Sequence, residues 1–269
     1  MNSSMPVLIE QTRQGFVLTL TLNDPDRRNA LSEPMVTELL EAFSRVAQDQ
    51  SLRALVLRAN GSAFCAGADL QTTIDHLNAG EVGERAIVQV NEHAGALFAS
   101  FAQLPLCTFA VVHGPAMGGG LGLAACADVV LATPQARFAL SETTLGLLPA
   151  QIAPYVAARC GARTSARLAL TAERLDGVTA KATGLVDELH DTPQLLEARL
   201  CELLAGVGRC AREANARTKA LFSSLAPAAP DNFRAQAASA FLARLQHAEG
   251  REGVSAFIEK RRPHWVEQP

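Results

Sequence analysis

The chain has 269 residues, 48% of them apolar and 19% charged, with a formal net charge of −3 and a mean hydropathy of +0.11. That balance fits a globular enzyme and fits neither a disordered chain nor a membrane span. It offers no concentrated basic field to neutralise phosphates, so nucleic acid is not an expected partner.

In chain order, Phe16, Leu18, Leu20 and Leu22 alternate with Val17, Thr19 and Thr21, the period-two pattern of a strand. Asn23-Asp24-Pro25-Asp26 ends it as a turn. Ser32 is the expected N-cap of a helix with Pro34 in its first turn, because Met35, Leu39, Ala42, Phe43 and Val46 recur at helical spacing. Ala54 to Leu57 predicts a buried strand, followed by a loop from Asn60 to Asp69. A long helix from about Glu84 to Leu104 is then stopped by Pro105.

Leu106 to Val112 predicts a second buried strand, and Gly114 to Gly122 a glycine-rich turn into an apolar helix ending near Cys126. Asp128 to Ala132 repeats the strand signal, and from about Asp191 the pattern is almost wholly helical, interrupted by Pro227 and Pro230. Strands alternating with helices predict an α/β fold, layered or spiral rather than strictly doubly wound. The six cysteines form no C-x-x-C pair and mostly have apolar neighbours, so they read as reduced structural residues. Met1 to Glu10 carries no signal or transit pattern, which predicts a cytoplasmic protein.

Two loops point to chemistry. Phe64-Cys65-Ala66-Gly67-Ala68-Asp69-Leu70 follows a buried strand with small residues that let a ligand approach the main chain. Gly118-Gly119-Gly120 opens a helix, where unpaired N–H groups favour an anion. Either loop alone also reads as a tight strand-to-helix turn. Two N–H groups, one from each loop, form an oxyanion hole if they converge.

These two segments, the second running Ala116 to Asp128, resemble the signature segments of the crotonase (enoyl-CoA hydratase/isomerase) superfamily, in the same order. The resemblance extends to Leu22 through Leu31, to Phe138 through Pro149, to Ala180 through Val186, and to Glu252-Gly253 with Phe257 through Arg261. It implies a spiral of strand-strand-helix units over residues 1–195. A C-terminal helical region, 196–269, would serve self-association as a homotrimer or a dimer of trimers. The implied substrate is an acyl-CoA thioester; coenzyme A is part of that substrate, and neither prosthetic group nor metal is implied.

Carried over residue by residue, the resemblance makes the N–H groups of Ala68 and Gly119 the oxyanion hole and Glu142 the group that exchanges a proton with the substrate carbon. It makes Arg27, Arg28, Ala30, Ala66 and Leu70 line the coenzyme A path, with Phe257 and Lys260 near the adenine or its phosphate. Taken alone, Glu142 also reads as an ordinary helix-start glutamate after Ser141.

The chain departs from the pattern at Gly122, where two-glutamate hydratases carry the second acid, and at Ala150, where dienoyl-CoA isomerases carry an aspartate. Gln71 replaces a lysine seen near the coenzyme A phosphate in some hydratases. The segment Leu147 to Tyr155 and the G-G-G-L-G-L run are similar to a bacterial subgroup of methylglutaconyl- and isohexenylglutaconyl-CoA hydratases, in which Gln151 is a candidate to hold water. His113 reads as a structural residue, and His76 and His93, in or beside the variable substrate-side segment, read as surface residues.

The leading expectation is hydration of a 2-enoyl-CoA. The alternatives are double-bond isomerisation by Glu142 alone, and a decarboxylase, hydrolase or non-catalytic acyl-CoA-binding protein of the same fold.

Overall fold

The computed structural model describes residues 7–225 and 232–266; the expected break at Pro227 and Pro230 lies outside them. Strands β1 (Ile9–Gln14) and β2 (Val17–Leu22) form an antiparallel hairpin, with Gly15 at a φ of +59 between them. The helix α1 (Glu33–Gln48) begins where Ser32 accepts a hydrogen bond from Met35 N at 3.4 Å, and its buried Met35, Leu39, Phe43 and Val46 lie on one face. Strand β3 (Ala54–Ala59) then pairs parallel with β2.

Helices α2 (Leu70–Asn78) and α3 (Gly80–Ala102) follow, then β4 (Cys107–Val112), β5 (Pro115–Met117) and α4 (Gly119–Cys126). Strands β6 (Val129–Ala132) and β7 (Arg137–Ala139) lead to one 3₁₀ turn, Glu142–Leu145. After it come α5 (Ala153–Cys160), α6 (Ala162–Thr171), β8 (Leu175–Asp176), α7 (Gly177–Ala182) and β9 (Glu188–Leu189). The C-terminal helices are α8 (Pro193–Gly208), α9 (Arg212–Leu225), α10 (Phe233–Gln246) and α11 (Ala248–Ile258).

One sheet has the order β1-β2-β3-β4-β6-β9, parallel from β2 onward; a smaller one has the order β5-β7-β8. Alternation along β3 explains its unbroken apolar run. Leu55 and Leu57 point toward α1 and α3, while Ala54 and Val56 point toward Leu196 and Leu200 of α8. A central strand buried on both faces needs apolar residues at every position. The Phe43 and Phe101 rings stack at 5.0 Å and lock α1 onto α3.

Three sequence expectations change. Helix α3 starts at Gly80 rather than near Glu84, and α2 occupies a stretch that showed no readable pattern. Helix α2 has no fully buried residue, so its apolar stripe, Leu70, Ile74 and Leu77, is short and weak. Cys65 and Cys126 are core residues, whereas Cys201 and Cys210 are exposed along and just past α8. Within the chain, α10 packs on α3, and α11 packs on the 3₁₀ turn and on α2.

Candidate active site

The site is built where β5 hands over to α4. Phe64 N and Cys65 N donate to Pro115 O, Met117 N donates to Cys65 O at 3.0 Å, and Gly118 N donates to Ala139 O at 2.9 Å. These bonds hold the first loop, the glycine turn and β7 side by side. Gly67, at a φ of +91, has no room for a side chain: a Cβ there would lie 2.7 Å from Met117 O and 3.4 Å from Gly119 N. The two loops therefore touch at Gly67, one residue before Ala68 and directly against Gly119. Among the described residues, neither Ala68 N nor Gly119 N donates to a main-chain carbonyl.

Each glycine around the start of α4 is covered by a group from elsewhere. An added Cβ would lie 3.0 Å from Glu142 Oε1 at Gly118, 2.9 Å from Leu31 Cδ1 at Gly119, 2.3 Å from Cys65 O at Gly120 and 2.3 Å from Ile152 Cγ2 at Gly122. Gly122 sits one helical turn beyond Gly118, whose carbonyl accepts the Gly122 N–H at 3.0 Å. Glu142 and Ile152 are thus neighbours along the glycine face of α4.

Glu142 opens the 3₁₀ turn, which is clamped from three sides. Thr143 Oγ1 donates to Ala169 O of α6 at 2.7 Å, Arg244 Nε of α10 donates to Gly146 O at 3.0 Å, and Gly146 lies against the Glu249 backbone of α11. Burial raises the Glu142 pKa to about 7, offset in part by a bond from its own main-chain N–H. Its Oε2 is buried without a hydrogen-bond partner. A carboxyl in that condition changes protonation state near neutrality, which general acid–base work requires.

Ala66, Ala68, Gly119 and Glu142 line one cavity of about 510 Å³, together with Arg28, Leu70 and Phe257. Arg27, Ala30 and Lys260 do not line it. Arg27 pairs with Asp69 at the rim. Burial alone would raise the Asp69 pKa, but the hydrogen bonds from Thr72 and Arg27, with the charge of Arg27, outweigh it and hold the carboxyl below its ordinary range. Lys260 follows the end of α11 at a φ of +55, away from the cavity wall.

The loop bearing Arg28 is held by Asn29, which is wholly buried. Its Nδ2 donates to Asn60 O and Ala63 O, its Oδ1 accepts from Asp24 N, and Arg28 O accepts from Ala66 N at 2.9 Å.

Gln151 lines the cavity, and its buried Oε1 has no hydrogen-bond partner among the described residues. Its Nε2 donates to Asn91 Oδ1 at 2.9 Å and to Arg234 O at 3.0 Å, while Oε1 lies over Gly95, where an added Cβ would be 2.3 Å away. Gln71 is at the surface, 3.3 Å from Asp75 Oδ1. His76 and His93 line the cavity, His93 with its side chain exposed, and His113 contacts Gly61 O at 2.9 Å.

The cavity residues of α3, Ile87, Val90, Asn91, Ala94 and Phe98, and Phe241 of α10 escaped sequence reasoning. The helical period of the α3 set was the available signal. Among the described residues no group of three or more His, Cys, Asp or Glu is placed to hold a metal ion, and no helix is long and apolar enough to cross a membrane.

Residues 12–268 match the family model described as enoyl-CoA hydratase/isomerase. A putative enoyl-CoA hydratase of Thermus thermophilus is 33% identical over 95% of this chain and 99% of its own length. The 1,2-epoxyphenylacetyl-CoA isomerase of Escherichia coli is 30% identical over 97% of this chain and 99% of its own. The crystal structure of an enoyl-CoA hydratase/isomerase from Marinobacter aquaeolei superposes with a TM-score of 0.78 at 38% identity, covering 97% of this chain and 99% of that one.

Proposed function

Since the chain belongs to the enoyl-CoA hydratase/isomerase family, we propose that it adds water to a 2-enoyl-CoA thioester, or removes it in reverse, through an enolate held by Ala68 N–H and Gly119 N–H. The observation that carries this reading is the Glu142 carboxyl, buried beside the glycine turn with a pKa of about 7 and one oxygen unpartnered. In the carboxylate form Glu142 takes a proton from water as the water oxygen bonds to C3 of the enoyl group. The double-bond electrons move onto the thioester oxygen, where the two N–H groups meet the charge. The same carboxyl then returns the proton to C2. Losing one such N–H donor typically costs about 3–4 kcal/mol of barrier.

A second reading, double-bond isomerisation, is favoured by one specific feature. The space beside Glu142 where Gly122 lacks a side chain is filled by Ile152 and Phe98, so no second carboxyl stands there to activate water. Glu142 alone suffices to carry a proton between C2 and C4.

Incubating crotonyl-CoA and a 3-enoyl-CoA in ¹⁸O-labelled water separates the two. Hydration puts ¹⁸O on C3 of a 3-hydroxyacyl-CoA, and isomerisation interconverts the enoyl-CoAs without label. Unchanged thioesters in both arms would remove both readings.

A further inference from the structure

We propose that Asn91 is a specificity residue of this site, donating a hydrogen bond from Nδ2 to an oxygen carried on the acyl chain of the substrate; the inference rests on the acyl-CoA reading above. The orientation of two side-chain amides carries it. The Arg234 carbonyl only accepts, so the Gln151 atom 3.0 Å from it is the NH₂ group. The other N–H of that group meets Asn91 at 2.9 Å, which fixes the Asn91 atom there as the oxygen. The free end of Asn91 is therefore its NH₂, and among the described residues that group has no hydrogen-bond partner.

Asn91 faces the cavity among the apolar Ile87, Val90, Ala94 and Phe98 of the same helix, with His93 the other polar residue that α3 brings to the lining. Phe98 marks the reaction centre, since its Cζ is 3.6 Å from where a Gly119 Cβ would stand. Asn91 is seven residues earlier, about 10 Å along the helix axis at 1.5 Å per residue. A purely hydrocarbon acyl chain would strip water from this NH₂ and return nothing. A carboxylate, ketone or hydroxyl oxygen would restore the bond, and sites built this way discriminate strongly against analogues lacking the partner. The anchor is rigid: Gln151 is only 5% exposed and ties α3 to the α10 backbone.

Two substitutions separate recognition from support. Asn91→Asp keeps an acceptor for Gln151 Nε2 and removes the donor, whereas Asn91→Leu removes both. The probes are 2-octenoyl-CoA, 2-octenedioyl-CoA with a terminal carboxylate, and 7-oxo-2-octenoyl-CoA with a ketone. Wild-type kcat/KM is expected to favour at least one oxygen-bearing chain over octenoyl by about tenfold, and Asn91→Asp to abolish that preference while changing octenoyl turnover by less than about threefold. Which chain is favoured, the anion or the neutral ketone, names the source of the oxygen.

No wild-type preference, or equal loss on all three chains in Asn91→Asp, overturns the proposal. Calorimetric affinities for octanoyl-, suberyl- and 7-oxooctanoyl-CoA, which have no double bond to react, repeat the comparison. They decide the role of Asn91 even if the enoyl-CoAs are not turned over.

Discussion

Glu142 stands over Gly118: a methyl group added to that glycine would lie 3.0 Å from Glu142 Oε1. Gly118 also has a φ of +50 and a ψ of −116, a backbone that side chains disfavour. The residue immediately before one proposed oxyanion donor is thus also the floor under the proposed acid–base group. Gly118→Ala is expected to lower activity by displacing Glu142, and a spectroscopic titration of the carboxyl should move with it.

Glu142→Gln conserves the side-chain size and removes the exchangeable proton. Turnover of enoyl-CoA substrates is expected to fall by at least about 100-fold, while thioester affinity changes little. Steady-state kinetics alongside calorimetric binding checks both halves. Wild-type rates in the variant would exclude the proton shuttle.

The same substitution has a signature in stability. Burial raises Glu142 from an ordinary value of 4.5 to about 7, so between those pH values the folded state binds more protons than the unfolded one. Its contribution is fully present below about pH 4.5 and declines as pH rises through about 7, by on the order of 3 kcal/mol. Glu142→Gln does not titrate. Denaturant melts should show the variant gaining on wild type between pH 5 and pH 8, and a constant difference would mean that the carboxyl is not raised.

Much of this was legible because burial leaves simple patterns. Leu18, Leu20 and Leu22 alternate, the first turn of α1 carries Ser32 and Pro34, and Ala54 to Leu57 is unbroken because β3 is covered on both faces. The two loops stood out because Gly67 and Gly118 are forced by contact and by positive φ. The opposite wall was not legible. Leu70 and Phe257 apart, which the resemblance named, its residues come from α2, whose apolar stripe is short, from α3, and from Phe241 far along the chain. For Gln151, sequence gives the distance from Glu142 but not that Arg234 O and Asn91 take its Nε2.

Gly122 and Ile152 should behave as a pair. A side chain at Gly122 meets Ile152 Cγ2 at 2.3 Å and Phe98 Cε1 at 3.3 Å, so Gly122→Ala overpacks the site. A loss of about 1–3 kcal/mol is expected. Adding Ile152→Ala should recover part of it, giving a non-additive cycle. Grafting a second acid by Gly122→Glu should therefore raise hydration only in the Ile152→Ala background. Full additivity in melts would show that the two positions do not share the space.

Self-association is the remaining expectation that carries a structural observation. Leu221 and Phe222 on α9 are 61% and 67% exposed, neighbours on a helix held to the sheet by Lys219, whose Nζ meets Asp128 Oδ2 at 2.8 Å. Adjacent large apolar groups in water are the kind of surface that symmetric assembly covers. Sedimentation velocity at micromolar concentration is expected to give a trimer or a hexamer. Phe222→Asp should weaken it without altering the monomer fold by circular dichroism, because Phe222 is largely exposed and does not line the cavity. A monomer in wild type would count against the assembly. An intact oligomer in Phe222→Asp would instead place the contact on another face.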